Sequence, residues 1–244
     1  MDRRRLGQSS LELSAVSLGG MSLGPAATGH FMTGHTCDEN PHELLDAALD
    51  LGINCIDSAD VYGDDGASER VIGDWMRTRG CRDQVILSTK FGYASPTGKG
   101  AAPARIVACL EAALQRLQTD RIDLFQLHLQ DLETPLPLIL ETLQAQVDAG
   151  KVRSIGISNA AVYHLARAAE IGGQAGHAAF VSLQAQYNLI VRDLEREHLP
   201  FLRDRRMGLL CWSPLAGGFL SGKYSATPDP SLGRLGMDLS LIHI

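Results

Sequence analysis

Four side chains of different chemistry follow three consecutive apolar runs in the first half of the sequence. Asp57 ends the run at 53–57 and Tyr62 follows it, Lys90 ends the run at 85–90, and His128 ends the run at 122–128. Reduction of a carbonyl needs a proton donor at its oxygen, and a free tyrosine, with an ordinary pKa of about 10, is a weak acid at neutral pH. A lysine ammonium stabilises the phenolate, and a carboxylate keeps a buried lysine charged. We therefore predict Tyr62 as the acid, Lys90 as the group that tunes it, Asp57 as the partner of Lys90, and His128 as the group that orients the carbonyl oxygen.

Each of these residues also has a simpler explanation. A strand-end aspartate often caps a loop, a strand-end lysine is usually solvated, a histidine after an apolar run is often structural, and a tyrosine before glycine often lies in a turn. The catalytic interpretation depends on all four residues arriving at the ends of successive strands, because those ends meet at one rim of a β/α barrel.

The elements that position these side chains alternate along the chain. Short, nearly continuous apolar runs are typical of parallel strands covered on both faces, and helical patterns separate most of them. This order predicts an α/β fold, a (β/α)8 TIM barrel that is incomplete because its last β/α unit is missing. The seven predicted strands are 15–19, 53–57, 85–90, 122–128, 152–157, 180–184 and 207–212.

Capping residues and apolar spacing set the predicted helix limits. Asn40 is predicted to cap the first helix, Ser68 the second and Asn159 the fifth, whereas the third begins near Pro103 and the fourth spans 137–149. A hairpin around 7–10 is predicted to close the bottom of the barrel. The inward face of the third helix is predicted from the spacing of Val107, Leu110, Leu114 and Leu117.

Composition narrows the function classes. The chain has 244 residues, 45% of them hydrophobic, and a formal net charge of -6, so we expect neither nucleic acid nor an anionic membrane as a partner. No apolar run approaches the roughly 18 residues that a membrane helix needs. The five cysteines are odd in number and form no CxxC pair, which favours a reducing, cytoplasmic location.

No motif indicates a metal site or a Rossmann site. The strands are not followed by GxGxxG, so a dinucleotide would be bound in another way. His30, His35 and Cys37 have poor spacing for a metal, and Asp60 and its acidic neighbours lack the periodicity of a calcium loop. The long loop 24–40 is predicted to act as a lid over a functional site.

Seven segments together resemble one family. In chain order they are 57–63 with 68–73, then 87–90, 123–128, 150–159, 184–189, 212–218 and 221–224. They are similar to the motifs of the aldo-keto reductases, and most similar to the bacterial and potassium-channel-β-subunit-like branches. The resemblance covers about residues 3–224 and implies NAD(P)H-dependent reduction of aldehydes or ketones to alcohols.

The resemblance also implies a cofactor site and a substrate class. Ser158, Asn159 and Gln184 match the positions that hold the nicotinamide amide, and Trp212 matches the aromatic residue that stacks on its ring, although core filling is an alternative for Trp212. NADPH is the expected cofactor, with NADH not excluded, and the partner is a small-molecule carbonyl substrate; its identity and the oligomeric state stay open. The other expected cofactor contacts are Gly19, Gly20, Met21, Asp57, Ser213, Pro214, Leu215 and Gly217.

The end of the sequence departs from the family. The family continues with another β/α unit that grips the adenosine 2'-phosphate, whereas residues 225–244 form a polar tail here, in which we expect the residues from about Leu239 onward not to be native. We therefore predict a single, incomplete barrel domain over 1–224. Two alternatives to an active reductase are a cofactor-binding regulatory or redox-sensing subunit with slow turnover and an inactive, truncated fragment.

Overall fold

Seven parallel strands form one sheet in the computed structural model, which describes residues 1–24, 40–63, 65–95, 98–175 and 179–223. A short antiparallel hairpin precedes this sheet. The hairpin strands are β1 (Arg3–Arg5) and β2 (Glu12–Ser14); the sheet consists of β3 (Leu18–Gly19), β4 (Cys55–Asp57), β5 (Ile86–Phe91), β6 (Ile122–Leu127), β7 (Val152–Ser158), β8 (Ser182–Gln186) and β9 (Gly208–Trp212).

Each strand of the sheet pairs with the next strand along the chain, in the order β3-β4-β5-β6-β7-β8-β9. All six pairings are parallel, and each of the six connections contains an α-helix. The predicted α/β class and the incomplete (β/α)8 barrel with seven strands are confirmed for the described residues. The first strand is shorter than predicted, because pairing begins at Leu18 instead of residue 15.

In the described ranges six α-helices accompany the strands, and several begin where the sequence predicts. Asn40 caps the first helix, since its Oδ1 accepts a hydrogen bond from the His42 amide at 3.1 Å, and the third begins at Pro103. The helices are α1 (Pro41–Asp50), α2 (Ala67–Arg79), α3 (Pro103–Arg116), α4 (Leu136–Asp148), α5 (Val162–Ala175) and α6 (His198–Asp204).

Three predicted helix details are wrong. Ser68 lies inside α2, which begins after Gly66, and its hydroxyl donates to the carbonyl of Gly20 at 2.6 Å instead of capping the helix. Asn159 precedes the start of α5 by three positions and has a left-handed backbone. Val107 is 36% exposed, because the inward face of α3 uses the adjacent Ile106, which is fully buried.

The hairpin closes the lower end of the barrel, as predicted. Leu6, Leu11 and Leu13 are buried and pack in one cluster with Cys55 of β4 and Leu124 of β6. These contacts give the barrel an apolar floor beneath the polar residues at the opposite strand ends. The three arginines of β1 are exposed, as expected for a solvated strand.

Some predictions fall outside the described residues. These are most of the predicted lid at 24–40, with His30, His35 and Cys37, and the tail at 225–244. Among the described residues, none of the helices has the length and apolar character needed to cross a membrane.

The close approach of α2 to α3 generates a stability prediction. A Cβ added at Gly73 of α2 would lie 2.5 Å from the carbonyl oxygen of Arg116 and 2.7 Å from the carbonyl carbon of Leu117, so the backbones must separate to admit it. We expect Gly73→Ala to lower the free energy of unfolding by about 1–3 kcal/mol in urea denaturation. The matched control is Gly173→Ala in α5, where no atom lies within 4 Å, and it should be neutral or stabilising by about 0.5–1 kcal/mol. Equal effects of the two substitutions would contradict close helix packing at Gly73.

Candidate active site

The structure brings the four predicted catalytic residues together at the C-terminal rim of the sheet. Asp57 ends β4, Lys90 is the penultimate residue of β5, His128 follows β6 directly, and Tyr62 lies on the loop after β4. The Lys90 Nζ lies 2.6 Å from Asp57 Oδ2 and 3.4 Å from the Tyr62 hydroxyl oxygen. The rings of Tyr62 and His128 meet edge to face, with centroids 6.0 Å apart.

Lys90 is the centre of this cluster. Its side chain is fully buried, and its ammonium also donates to the Ser58 carbonyl at 2.8 Å and lies 5.0 Å from the centroid of the Tyr62 ring. Burial alone lowers the pKa of this group, but the attraction of Asp57 and Tyr62 outweighs it and raises the pKa above its usual value. Lys90 is therefore an ammonium at neutral pH.

His128 is neutral at the same pH. Burial, and then the charge of Lys90, lower the pKa of its imidazole to about 3. The His128 ring contacts two tyrosine rings, because the Tyr93 ring also approaches it, with centroids 5.1 Å apart and a tilt of 47°. A neutral imidazole offers one N–H donor to a ligand without adding a second positive charge beside Lys90.

Two residues that the sequence reasoning missed contact the carboxylate of Asp57. Ser88 donates its hydroxyl to Asp57 Oδ1 at 2.8 Å, and Gln126 donates Nε2 to the same oxygen at 3.3 Å and to Ser88 Oγ at 2.9 Å. Both residues are fully buried. The available signal was the period of two along a strand, which places Ser88 on the same face as Lys90, and Gln126 on the same face as His128.

The start of α2 fixes the loop that carries Tyr62. The Ser68 amide donates to the Tyr62 carbonyl at 3.1 Å, and the Ser68 hydroxyl contacts the Gly20 carbonyl and Ser58. A Cβ on Gly20 would lie 2.9 Å from Ser68 Oγ, so the small residue allows β3, the Tyr62 loop and α2 to meet. The predicted cofactor contacts Gly19, Gly20 and Met21 lie at this end of the rim, where the Gly20 amide donates to the Asp57 carbonyl at 2.7 Å.

Asp60 lies two residues before Tyr62 and has an unusual environment. Burial, followed by the nearby charge of Glu69, raises the pKa of its carboxyl to about 7, despite the opposing effects of Arg116 and Arg105. Glu69 is itself fully buried in an ion pair with Arg116, whose Nε lies 2.6 Å from Glu69 Oε2. The sequence reasoning considered Asp60 only as a rejected calcium ligand.

A second polar cluster continues from the first along the rim. Asn159 donates Nδ2 to Ser158 Oγ at 3.0 Å and to the His128 carbonyl at 3.3 Å, and accepts a hydrogen bond from Trp212 Nε1 at 3.0 Å. Gln184 is 5% exposed, and its backbone carbonyl accepts a hydrogen bond from the backbone amide of Asn159 at 2.9 Å. Two side-chain amides, a hydroxyl and a half-buried indole form a donor and acceptor set that suits a flat ring with a carboxamide.

The backbone is constrained where this cluster is built. Asn159 and Ser213 directly follow β7 and β9, and both have left-handed φ angles, of 52° and 50°. Such strain in non-glycine residues concentrates at binding and active sites. Asn188 supports the second of them by donating Nδ2 to the Ser213 carbonyl at 3.0 Å. The other predicted cofactor contacts on this segment are the exposed Pro214 and Leu215, and Gly217, whose φ is 67°.

Metal chemistry has no support in this region. Across the described ranges, His, Cys, Asp and Glu side chains do not gather in any group of three or more that could hold a metal ion. The charges at the rim are instead one buried ammonium and its carboxylate partner.

Comparison with known proteins identifies the family of this chain. Residues 15–235 match the model of the Aldo/keto reductase family. The chain is 39% identical to "Uncharacterized oxidoreductase YrpG" and 38% identical to "Aldo-keto reductase YhdN", both of Bacillus subtilis (strain 168), over 77% and 74% of this chain and 61% and 54% of those proteins. It is 34% identical to the Schizosaccharomyces pombe aldo-keto reductase yakc, whose name includes NADP(+), over 79% of this chain and 57% of that protein. The chain therefore spans between 54% and 61% of the length of these relatives.

The neutral state of His128 predicts a pH dependence of stability. Its pKa is about 3 in the fold and about 6.5 when unfolded, so protons bind the unfolded chain preferentially and stability is lost as the pH falls from about 6.5 towards 3. By pH 5 this contribution is about 2 kcal/mol. We expect the free energy of unfolding to fall less between pH 7.5 and 5 in His128→Gln than in the unsubstituted chain, as measured by urea denaturation at each pH. Equal slopes would contradict a buried, neutral imidazole.

The raised pKa of Asp60 predicts the opposite pH dependence, a stability that falls as the pH rises. Because its pKa is raised in the fold, the unfolded chain ionises first, and stability is lost as the pH rises from about 4 through about 7. We expect Asp60→Asn to increase the free energy of unfolding at pH 8 by about 1–3 kcal/mol, with the gain vanishing near pH 4. The exposed Asp74→Asn on α2 is the control and should show no such gain. Destabilisation by Asp60→Asn at pH 8 would show that the carboxylate form is favoured by the fold.

Proposed function

Because the chain belongs to the aldo/keto reductase family, we propose that it is an NADPH-dependent oxidoreductase that reduces aldehydes or ketones to alcohols, with Tyr62 as the general acid. The observation that carries the proposal is the fully buried Lys90 ammonium, held between the Asp57 carboxylate at 2.6 Å and the Tyr62 hydroxyl at 3.4 Å. This arrangement suits a proton transfer from the phenol at neutral pH.

The reaction adds a hydride to the carbonyl carbon and a proton to the carbonyl oxygen. A reduced nicotinamide cofactor supplies the hydride when it is bound. Tyr62 supplies the proton: its O–H bond breaks as the new O–H bond of the alcohol forms, and a tyrosinate remains until it takes a proton from water. Lys90 stabilises that negative charge as it develops, and Asp57 keeps Lys90 charged throughout.

His128 orients the substrate in this proposal. Its neutral imidazole faces the Tyr62 ring, so one N–H can donate to the carbonyl oxygen that Tyr62 protonates. Tyr93, whose ring contacts the His128 imidazole, would add an apolar surface beside the reacting group. The neutral state matters because an imidazolium would repel Lys90 and compete with Tyr62 as the proton donor.

The second polar cluster fits the nicotinamide end of the cofactor. Asn159, Ser158 and Gln184 would hold the carboxamide, and Trp212 would pack on the ring. Gly19, Gly20, Met21, Ser213, Pro214, Leu215 and Gly217 would line the remainder of the cofactor site. NADPH is proposed over NADH because a relative carries NADP(+) in its name.

The setting of this activity is also a proposal. We infer one barrel domain over 1–224, acting on a small-molecule carbonyl in the cytoplasm. The odd number and wide spacing of the five cysteines, which form no CxxC pair, support a reducing environment.

Replacement of Tyr62 tests the acid. We expect Tyr62→Phe to lower kcat for a panel of aldehydes by about 100- to 10,000-fold, because the proton donor is lost while the ring is kept. NADPH binding, followed as quenching of Trp212 fluorescence, should be retained because the cofactor residues are unchanged. The measurements are steady-state NADPH oxidation at 340 nm and a fluorescence titration.

Tyr163→Phe is the matched control, since Tyr163 is an exposed tyrosine of α5 and should leave both measurements unchanged. Trp212→Phe should remove most of the quenching, because the other tryptophan, Trp75, is buried in α2. Normal turnover by Tyr62→Phe would reject Tyr62 as the acid. Saturable NADPH binding by a chain that reduces no aldehyde or ketone would favour a cofactor-binding regulatory subunit instead.

A further inference from the structure

We propose that Gln126 is a positioning residue for catalysis, which together with Ser88 fixes the carboxylate of Asp57 in the one orientation that holds Lys90 against Tyr62. This inference rests on the proposed function. The Gln126 side chain makes no hydrogen bond to the side chain of Lys90 or Tyr62. It donates to Asp57 and Ser88, and Asp57 accepts from Lys90.

The contacts divide the two oxygens of the Asp57 carboxylate. Oδ1 accepts from Ser88 Oγ at 2.8 Å and from Gln126 Nε2 at 3.3 Å, whereas Oδ2 accepts from Lys90 Nζ at 2.6 Å. Gln126 Nε2 also donates to Ser88 Oγ at 2.9 Å, which directs the serine proton to the carboxylate. Only one rotation of the carboxylate satisfies all of these donors.

The sheet register places these groups side by side. Asp57 pairs with Ser88 across β4 and β5, and Lys90 pairs with Gln126 across β5 and β6. Gln126 therefore lies on the inward face of β6, next to Lys90 on the adjacent strand β5 and two residues before His128 in the chain. A buried polar residue at this level contrasts with the branched apolar side chains that usually fill a β/α barrel.

Gly156 of β7 leaves the room for the amide. Gln126 pairs with Gly156, and a Cβ on that glycine would lie 3.0 Å from Gln126 Cγ and 3.1 Å from Gln126 Oε1. The amide oxygen is thereby directed towards β7, and the amide nitrogen towards Asp57. The orientation of the amide is set by the two hydrogen bonds that its nitrogen donates, because the buried amide oxygen has no hydrogen-bond partner among the described residues.

Orientation of the carboxylate matters because the Lys90–Tyr62 contact is the longest in the chain of contacts, at 3.4 Å. Without donors on Oδ1, the carboxylate would turn both oxygens towards the ammonium, its nearest remaining donor. Lys90 would follow the carboxylate and leave Tyr62, and the tyrosinate formed by proton transfer would lose its counter-charge. The chemical step would slow, although the substrate and the cofactor would still bind.

The first test compares Gln126→Met with Gln126→Glu in the full chain. Met keeps the length of the side chain and removes the donor, so kcat should fall by about 10- to 100-fold, the effect of losing a hydrogen bond to a charged group. KM for the aldehyde and the NADPH dissociation constant should stay within about twofold, since neither ligand contacts Gln126 in the proposed mechanism.

Gln126→Glu adds a measurement, the pH dependence of kcat, which would not change if Gln126 only filled space in the barrel. A protonated glutamic acid can donate to Asp57 Oδ1, whereas an ionised one repels it. The kcat of Gln126→Glu relative to the unsubstituted chain should therefore be highest at low pH and fall as the pH rises, while the relative kcat of Gln126→Met should stay constant. Constant ratios for both variants would overturn the proposal in favour of packing.

Ser88 provides a matched pair that does not disturb Gln126. Ser88→Thr keeps the hydroxyl and Ser88→Val replaces it with a methyl of the same shape, so any packing cost of the extra atoms is shared. We expect Thr to retain most of the activity and Val to lose about as much as Gln126→Met. Equal kcat values for Thr and Val would overturn the proposal, even if the Gln126 variants failed to fold.

A measurement without turnover separates this inference from the proposed function. The chain contains four lysines, Lys90, Lys99, Lys151 and Lys223, so ¹³Cε-labelled lysine gives four NMR signals, and Lys90→Arg assigns the one of interest. The Lys90 ammonium lies 5.0 Å from the centroid of the Tyr62 ring, so the ¹³Cε signal of Lys90 should move when Lys90 leaves Tyr62. We expect this shift of the signal in Gln126→Met and Ser88→Val and not in Ser88→Thr. If the unsubstituted chain reduces no carbonyl compound, the proposed function fails, and the Lys90 signal alone decides the positioning role: a shift in Gln126→Met and Ser88→Val with none in Ser88→Thr supports it, and any other pattern overturns it.

Discussion

The burial of one ammonium group is the constraint on which the rim of this barrel depends. A charge taken out of water is tolerated only when it is paired and hydrogen-bonded. Lys90 is fully buried, and its three partners are the Asp57 carboxylate, the Ser58 carbonyl and the Tyr62 hydroxyl. The neutral state of His128 follows from the same constraint, because a second cation at this distance would be uncompensated.

The interior of the barrel is apolar at the hairpin end and polar near the rim. Its floor is apolar, where Leu6, Leu11 and Leu13 of the hairpin meet Cys55 and Leu124. One step towards the rim, the same strands carry the buried side chains of Ser88, Lys90 and Gln126, and buried polar groups need hydrogen-bond partners. The parallel register brings such partners together, since it sets Asp57 beside Ser88 and Lys90 beside Gln126.

Sequence patterns predicted the fold and the residues that share the rim, because both depend on the order of elements along the chain. Continuous apolar runs separated by helical patterns predicted the seven parallel strands, and strand ends predicted which residues share the rim. Two of the wrong predictions, Ser68 and Asn159, concern side chains whose partners are distant in sequence, whereas Val107 was wrong by one position in the inward face of α3. The local pattern favours both Ser68 and Asn159 as helix caps. In the structure the Ser68 hydroxyl donates to the Gly20 carbonyl instead. The Asn159 side chain accepts from the Trp212 indole and donates to the His128 carbonyl. Ser88 and Gln126 were missed because nothing local distinguishes a polar residue that supports an ion pair from one that only fills a strand.

Asn159 connects the two polar clusters at the rim. Its left-handed backbone turns the side chain back over the rim, where one amide group contacts Ser158, accepts from the Trp212 indole and donates to the His128 carbonyl. A helix cap at this position would have pointed the amide away from the rim and left the clusters unconnected. The strain of the φ angle is therefore the local cost of joining the region that suits a nicotinamide to the residue that faces Tyr62. In the proposed function, hydrogen bonds between strand ends therefore set the distance between the nicotinamide ring and the substrate carbonyl beside Tyr62.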